Sequence, residues 1–162
     1  MVLYTFTMRF RKAKIEDAAE LARLHRTTIR TVNSQDYSED VIEGWVGKST
    51  AKTFRDFHDK SIRFVAVENE KIIAFGELVK ETGNLGAMYV HKDWIGKGIG
   101  KKLFEILENE AVKLGVTKFE FESSTTAKKF YESCGCKTIK KIKHTLRTGA
   151  VMDAYTMQKE LS

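Results

Sequence analysis

Apolar and polar positions recur along this chain with two different periods, and each change of period marks an element. Met8 to Lys12 reads as a first strand, after which Ile15, Ala18, Ala19, Leu21, Ala22 and Ile29 share one broad face of a helix opening at Ile15. Beyond Asn33 to Tyr37, Ser38 is placed to cap a short helix carrying Val41, Ile42 and Trp45. Ser49 or Thr50 is placed to cap another carrying Phe54 and Phe57. The segments Arg63 to Val67 and Lys71 to Val79 flank Glu68-Asn-Glu70 and predict an antiparallel hairpin, with a further strand over Leu85 to Val90. Leu103, Phe104, Ile106, Leu107, Ala111 and Leu114 predict a strongly amphipathic helix stopped by Gly115, followed by a strand at Lys118 to Phe121. Thr125 or Thr126 opens a short helix to about Cys134, and two last strands near Lys137 to His144 and Val151 to Lys159 turn at Thr148-Gly149. The sum is a mixed α/β domain.

Composition narrows the class. The 162 residues carry no repeat, low-complexity tract or linker, so one domain over residues 1–162, with its core at about 8–160, is expected. Apolar residues make up 42% and charged residues 31%, with no run of about 18 apolar residues, which argues against both disorder and a membrane span. Met1 to Met8 has no basic leader or small-residue cleavage site, so a cytoplasmic protein is expected, with Met1 to Thr7 either ordered or only an extension before Met8. Cys134 and Cys136, one residue apart, cannot complete a four-ligand zinc site, and no metal is expected. The net charge of +6 suits a phosphate-bearing ligand, nucleic acid or a solvated surface equally. Lys137, Lys140, Lys141, Lys143, His144 and Arg147 form the most basic stretch, but strand alternation sends them to both faces and no aromatic platform lies among them. Neither a nucleic-acid nor a membrane partner is expected.

The chemistry concentrates at Met88-Tyr-Val-His-Lys-Asp-Trp-Ile-Gly-Lys-Gly-Ile-Gly-Lys-Lys-Leu103, where a buried strand runs through glycines straight into the amphipathic helix. Gly96, Gly98 and Gly100 allow close backbone approach, and the helix N-terminus with Lys97, Lys101 and Lys102 favours an anion such as pyrophosphate. A dinucleotide fingerprint needs its third glycine where Lys101 stands. A Walker loop needs a glycine where Ile95 stands and Ser or Thr in place of Lys102.

The segment Ile95-Gly-Lys-Gly-Ile-Gly100 instead resembles the Q/R-x-x-G-x-G/A pyrophosphate loop of GNAT N-acetyltransferases. Ser124-Thr-Thr-Ala-Lys-Lys-Phe-Tyr-Glu-Ser-Cys-Gly135 is similar to the family's N-x-x-A-x-x-F-Y-E-x-x-G-F, and the order of elements agrees over almost the whole chain. The resemblance implies a mostly antiparallel central sheet of about six to seven strands with helices on both faces, and acetyl-CoA as cosubstrate. The implied cofactor-binding residues are Met88, Tyr89 and Val90 on the splayed strand, Ile95, Gly96, Lys97, Gly98, Ile99, Gly100 and Lys101 in the loop, and Ser124 and Lys128. Tyr131 aligns with the tyrosine that protonates the departing thiolate; from periodicity alone it reads as a buried structural tyrosine. Four positions depart from the pattern: Ile95 for Arg or Gln, Lys92 for Pro, Ser124 for Asn and Cys136 for Phe.

An amine acceptor is protonated near neutral pH and must lose a proton before attack. Many relatives carry an acid at the position of Gly86, so Glu77 on the preceding strand, His91 or a water chain remains for the base, and Glu77 is the candidate. Tyr37, Trp45 and Asn33 to Asp36 either line the acceptor pocket or pack and cap, core packing being the expectation for Trp45. The expected activity is acetyl transfer to a primary amine through a ternary complex, with a catalytically inactive acyl-CoA-binding protein as the alternative. A homodimer follows from the resemblance alone.

Overall fold

The computed structural model describes residues 8–162, so the expectation for Met1 to Thr7 lies outside the described residues. Among them run β1 (Arg9–Lys12), α1 (Ala18–Thr31), α2 (Glu39–Val46), α3 (Ala51–Asp56), β2 (Ser61–Glu68), β3 (Lys71–Val79) and β4 (Asn84–Val90). There follow α4 (Ile99–Lys113), β5 (Lys118–Ser124), α5 (Lys128–Ser133), β6 (Lys137–Thr145) and β7 (Val151–Glu160). All strand pairs are antiparallel, in the orders β1-β2-β3-β4 and β5-β7-β6. The seven strands match the expected number, but they form a four-stranded and a three-stranded sheet because β4 and β5 share no ladder.

Alternation along the strands feeds two apolar layers. Val65, Val67 and Phe75 face Leu21, Ala22 and Leu24 of α1, whereas Ala66 and Ala74, one residue out of phase, face Ile99 and Leu103 of α4. The same α4 reaches the second sheet, packing Phe104 and Leu107 with Phe119, Tyr131 and Met157. One helix therefore ties the two sheets together on one face while leaving the seam between their facing edges open.

Local chemistry accounts for the element ends. Thr50 caps α3 by accepting the Thr53 N–H at 3.1 Å, whereas Ser38, although extended at the start of α2, makes no side-chain cap. The short helix expected from Thr125 or Thr126 begins only at Lys128. Ser124 Oγ accepts the Ala127 N–H at 3.1 Å and holds residues 125–127 in a turn. No described helix is long and apolar enough to cross a membrane.

Candidate active site

The seam between β4 and β5 is closed at one end by a side chain. Asn84, the first residue of β4, accepts from the Leu85 and Glu120 N–H groups at 2.9 and 3.1 Å and donates to the Glu120 carbonyl at 2.5 Å. Its carboxamide stands in for one peptide of a ladder, after which the strands diverge. Two residues on, Glu77 pairs with Ala87 while Leu78 pairs with Leu85, leaving Gly86 as an unpaired bulge in β4. A cleft of about 1040 Å³ opens along the diverging edges, lined by Leu85 to Val90 on one side and Phe121 to Ser124 on the other. That volume lies at the upper end of small-molecule sites.

The glycine loop crosses the open end of this cleft. Gly96 and Gly98 adopt φ of +80° and +81°, conformations that residues other than glycine rarely take, and no described residue beyond those adjoining in the chain stands within 4 Å of where their β-carbons would be. Gly98 starts α4, and the first intrahelical bond is Lys102 N–H to Gly98 O at 3.1 Å, so the N–H groups of Ile99, Gly100 and Lys101 have no helical acceptor. Helix starts favour acidic residues, yet the first turn of α4 has none and carries Lys101 and Lys102 instead. Free donors, positive partial charge and empty space in front of them suit an anion. Gly100 is needed for a different reason: a β-carbon there would sit 2.9 Å from Phe130 Cε2, so its absence lets α5 pack against the start of α4.

That packing brings Tyr131 to the cleft wall. Its ring is buried against Phe121, Phe130 and Phe104, at centroid separations of 4.7, 5.3 and 6.2 Å, and its hydroxyl makes no hydrogen bond to a described residue. Burial pushes the phenol well above its ordinary pKa, so it stays protonated throughout the neutral range.

Comparison with known proteins now decides the family. Residues 32–161 match the model of the acetyltransferase (GNAT) domain. The chain belongs to the GNAT acetyltransferase family. The GNAT fold is shared with a GCN5-related N-acetyltransferase from Rhodopseudomonas palustris, at 24% identity and a TM-score of 0.86 over 99% of both chains. It is shared too with the PaiA N-acetyltransferase of Thermoplasma acidophilum, solved in complex with coenzyme A, at 21% identity and a TM-score of 0.77 over 95% of this chain and 99% of that one. A third is yncA from Salmonella typhimurium, solved with its cofactor acetyl-CoA, at 17% identity and a TM-score of 0.68 over 96% and 94%. The sequence has no significant match among curated proteins.

Within this GNAT scaffold the residues singled out from sequence separate into groups. Met88, Tyr89, Val90, Ile95, Gly96, Gly98, Gly100, Lys101, Ser124 and Tyr131 all line the cleft. Ile99 turns its side chain into the core, leaving only its main chain toward the loop. Lys97 lies over the Trp94 ring at 4.9 Å, and Lys128 pairs with Glu132 at 3.0 Å while lying over Tyr155 at 5.3 Å, so neither side chain lines the cleft. His91 is occupied too, its Nδ1 accepting the Asp93 N–H at 3.1 Å.

Glu77 lies one wall away, in a smaller cavity of about 180 Å³ that it lines with Arg63, His25 and Phe54. Its Oε2 accepts from the buried Arg63 Nε at 2.7 Å. Its Oε1 is 3.4 Å from the position a β-carbon would take at Gly86. Because Gly86 and Ala87 also line the large cleft, this carboxylate occupies the space that a side chain at 86 would fill. Beside it, burial, with Arg26 and Arg63 close by, lowers the His25 pKa to about 4, and His25 Nδ1 lies 2.7 Å from Ser49 Oγ.

The wall opposite the loop includes side chains that the sequence leaves between lining an acceptor pocket and packing or capping. Trp45 lines the cleft and packs edge-on against Tyr37 at 5.7 Å, thus serving as both core and wall. Tyr37 itself is a tie, its hydroxyl donating to the Asp153 carbonyl and accepting the Thr125 N–H, each at 2.7 Å. Glu122 and His144, with Oε2 and Nδ1 3.5 Å apart, were missed altogether; both line the cleft. Their only sequence signal is a shared face of the β5-β7-β6 sheet, opposite Thr156 and Met152 of β7, which depends on a pairing the sequence does not state. No group of three or more His, Cys, Asp or Glu side chains among the described residues could hold a metal ion.

Proposed function

We propose that this protein moves the acetyl group of acetyl-CoA to a primary amine by direct attack in a ternary complex. The observation that carries this reading is an acid-free, lysine-bearing helix N-terminus opening onto a cleft between two strands that share no ladder. Acetyl-CoA, when bound, supplies the thioester carbonyl and the thiolate leaving group. The free N–H groups at Ile99 to Lys101, the bare backbone of Gly96 and Gly98 and the Lys101 ammonium hold its pyrophosphate. Lys97 and Lys128 contribute positive charge from a distance, and Ile95 and Ser124 contribute shape.

The main chain of Met88, Tyr89 and Val90 flanks the thioester arm and donates to the carbonyl oxygen as negative charge develops on it. Tyr131 gives its phenolic proton to sulfur as the carbon–sulfur bond breaks; its raised pKa keeps that proton available. Glu77 takes the proton of the acceptor ammonium through a water molecule that reaches Oε1 past Gly86. Arg63 anchors the other oxygen, and the missing side chain at 86 leaves the route open. The carboxylate found on the neighbouring strand in many relatives would thus be supplied here from β3.

Calorimetric titration with acetyl-CoA, followed by thiol release over a panel of amines, tests the reading. Micromolar binding and turnover are expected, with Tyr131→Phe lowering kcat by about 10- to 100-fold at unchanged acetyl-CoA affinity. Glu77→Gln is expected to lower kcat by about 10- to 100-fold at unchanged acetyl-CoA affinity. Binding without turnover of any amine returns the inactive acyl-CoA-binding alternative, and absence of binding removes the proposal.

A further inference from the structure

The Asn33 side chain lines the cleft without a bonding partner among the described residues. Asn33 follows the end of α1 and is 5% exposed, while its carboxamide makes no hydrogen bond to a described residue. Its carbonyl accepts the Asp36 N–H at 3.0 Å. A carboxamide brings two donor hydrogens and an acceptor oxygen, which here are left to whatever occupies the cleft. The little surface that Asn33 retains belongs to the large cleft, which it lines.

Its surroundings define what would pair with it. The Tyr37 hydroxyl pins the segment after Asn33 to Thr125 and Asp153, at the end of the second sheet that carries Glu122, His144 and Met152. Asn33 is thereby held on the wall away from the glycine loop, where an acceptor enters. The region carries one carboxylate, Glu122, with Oε2 3.5 Å from His144 Nδ1, and one ammonium, Lys48, from the segment after α2. No surplus of negative charge awaits a second ammonium group. A neutral amide facing a balanced, partly aromatic wall instead selects a neutral hydrogen-bonding group on the acceptor.

Resting on the acetyl-transfer reading, we propose that Asn33 is a specificity-determining residue of the acceptor site. It selects an amine bearing a hydroxyl or amide group a few bonds from the nitrogen, as in an amino alcohol, amino sugar or peptide amide. Hydrocarbon amines and simple polyamines are the disfavoured classes.

Ligand-observed NMR on the full chain with coenzyme A present tests this, using ethanolamine, glucosamine and glycinamide against butylamine and putrescine. At least one of the first three is expected to bind about tenfold tighter than both of the others, a gap of the size one satisfied hydrogen bond makes. Asn33→Leu, near in shape, is expected to close the gap to about twofold with coenzyme A affinity unchanged. Asn33→Asp, which keeps the shape and removes the amide donor, repeats the comparison if the leucine variant fails to fold. Glucosamine binding best or glycinamide binding best separates a sugar-like from a peptide-like acceptor. Equal or tighter binding of butylamine or putrescine, binding of none of the five probes, or a preference that survives both variants overturns the assignment. Failure of coenzyme A to bind the unmodified protein counts against the acetyl-transfer reading itself.

Discussion

The two walls of the cleft are made in opposite ways. The wall formed by β4, the glycine loop and the start of α4 presents main chain: it has bare carbon at Gly96 and Gly98, a bulge at Gly86 and unpaired N–H groups at the helix end. The wall formed by the α1–α2 corner and the second sheet presents side chains, brought together by contacts such as Tyr37 to Asp153 across 116 positions of sequence. A main-chain wall recognises what every ligand of one class shares, in the proposed reading a phosphate-bearing arm, because any residue's amide serves equally. A side-chain wall changes with each substitution and is where one member of a family departs from another.

This contrast predicts that substitutions on the first wall act on cofactor affinity and those on the second on the acceptor or on packing. Gly98→Asp is the most severe test, since it forces a β-carbon into φ of +81° and sets a carboxylate in the anion seat. Acetyl-CoA affinity, read by calorimetry, should fall by about 100-fold or more. Retained binding would mean that the helix end is not the seat. On the other wall, a β-carbon at Gly44 would lie 2.6 Å from Thr148 Oγ1 and 3.2 Å from Leu146 Cδ1, so Gly44→Val should lift the β6–β7 turn off α2. A loss of about 2–3 kcal/mol in chemical denaturation is expected, with a raised acceptor KM and unaltered acetyl-CoA affinity.

Behind that wall, His25 makes stability depend on pH. Its folded pKa of about 4 lies below the ordinary 6.5, so the unfolded chain binds the proton more tightly. The stabilisation is complete above pH 6.5, declines as pH falls toward 4 and levels off below. Urea unfolding of the wild type should lose about 2 kcal/mol from this group between pH 7 and 4.5, and His25→Gln should flatten that slope. The smallest effect is expected at the seam: Asn84→Ala should cost about 1 kcal/mol, and an unchanged unfolding midpoint would show that the two sheets hold their spacing without the clamp.

Legibility in sequence followed the same division. A main-chain site demands unusual residues in one short segment, so Ile95 to Gly100 between an apolar strand and an amphipathic helix could be read directly, as could Phe130-Tyr131. The element order was equally plain because each period change is local. The division of the strands into two sheets was not, since Asn84 reads as the last residue of a turn until its partner Glu120, 36 positions on, is known. His144 reads as part of a solvated strand and Glu122 falls just past the strand expected at Lys118 to Phe121, because their proximity depends on the β5-β7-β6 order. Glu77 was a guess from a gap at Gly86; the structure adds that its carboxylate stands in that gap, held by Arg63.

The position of Asn84 also sets a length. From that residue to Val90 the edge of β4 runs six residue steps, roughly 20 Å at strand spacing, without a partner strand. The carboxamide acts as a stop on a zip, and the free run beyond it is a ruler for whatever extended molecule lies along it. Shifting the stop two residues forward would trim the ruler by roughly 7 Å, so the reach of this slot is written in the placement of a single amide rather than in the dimensions of the whole fold.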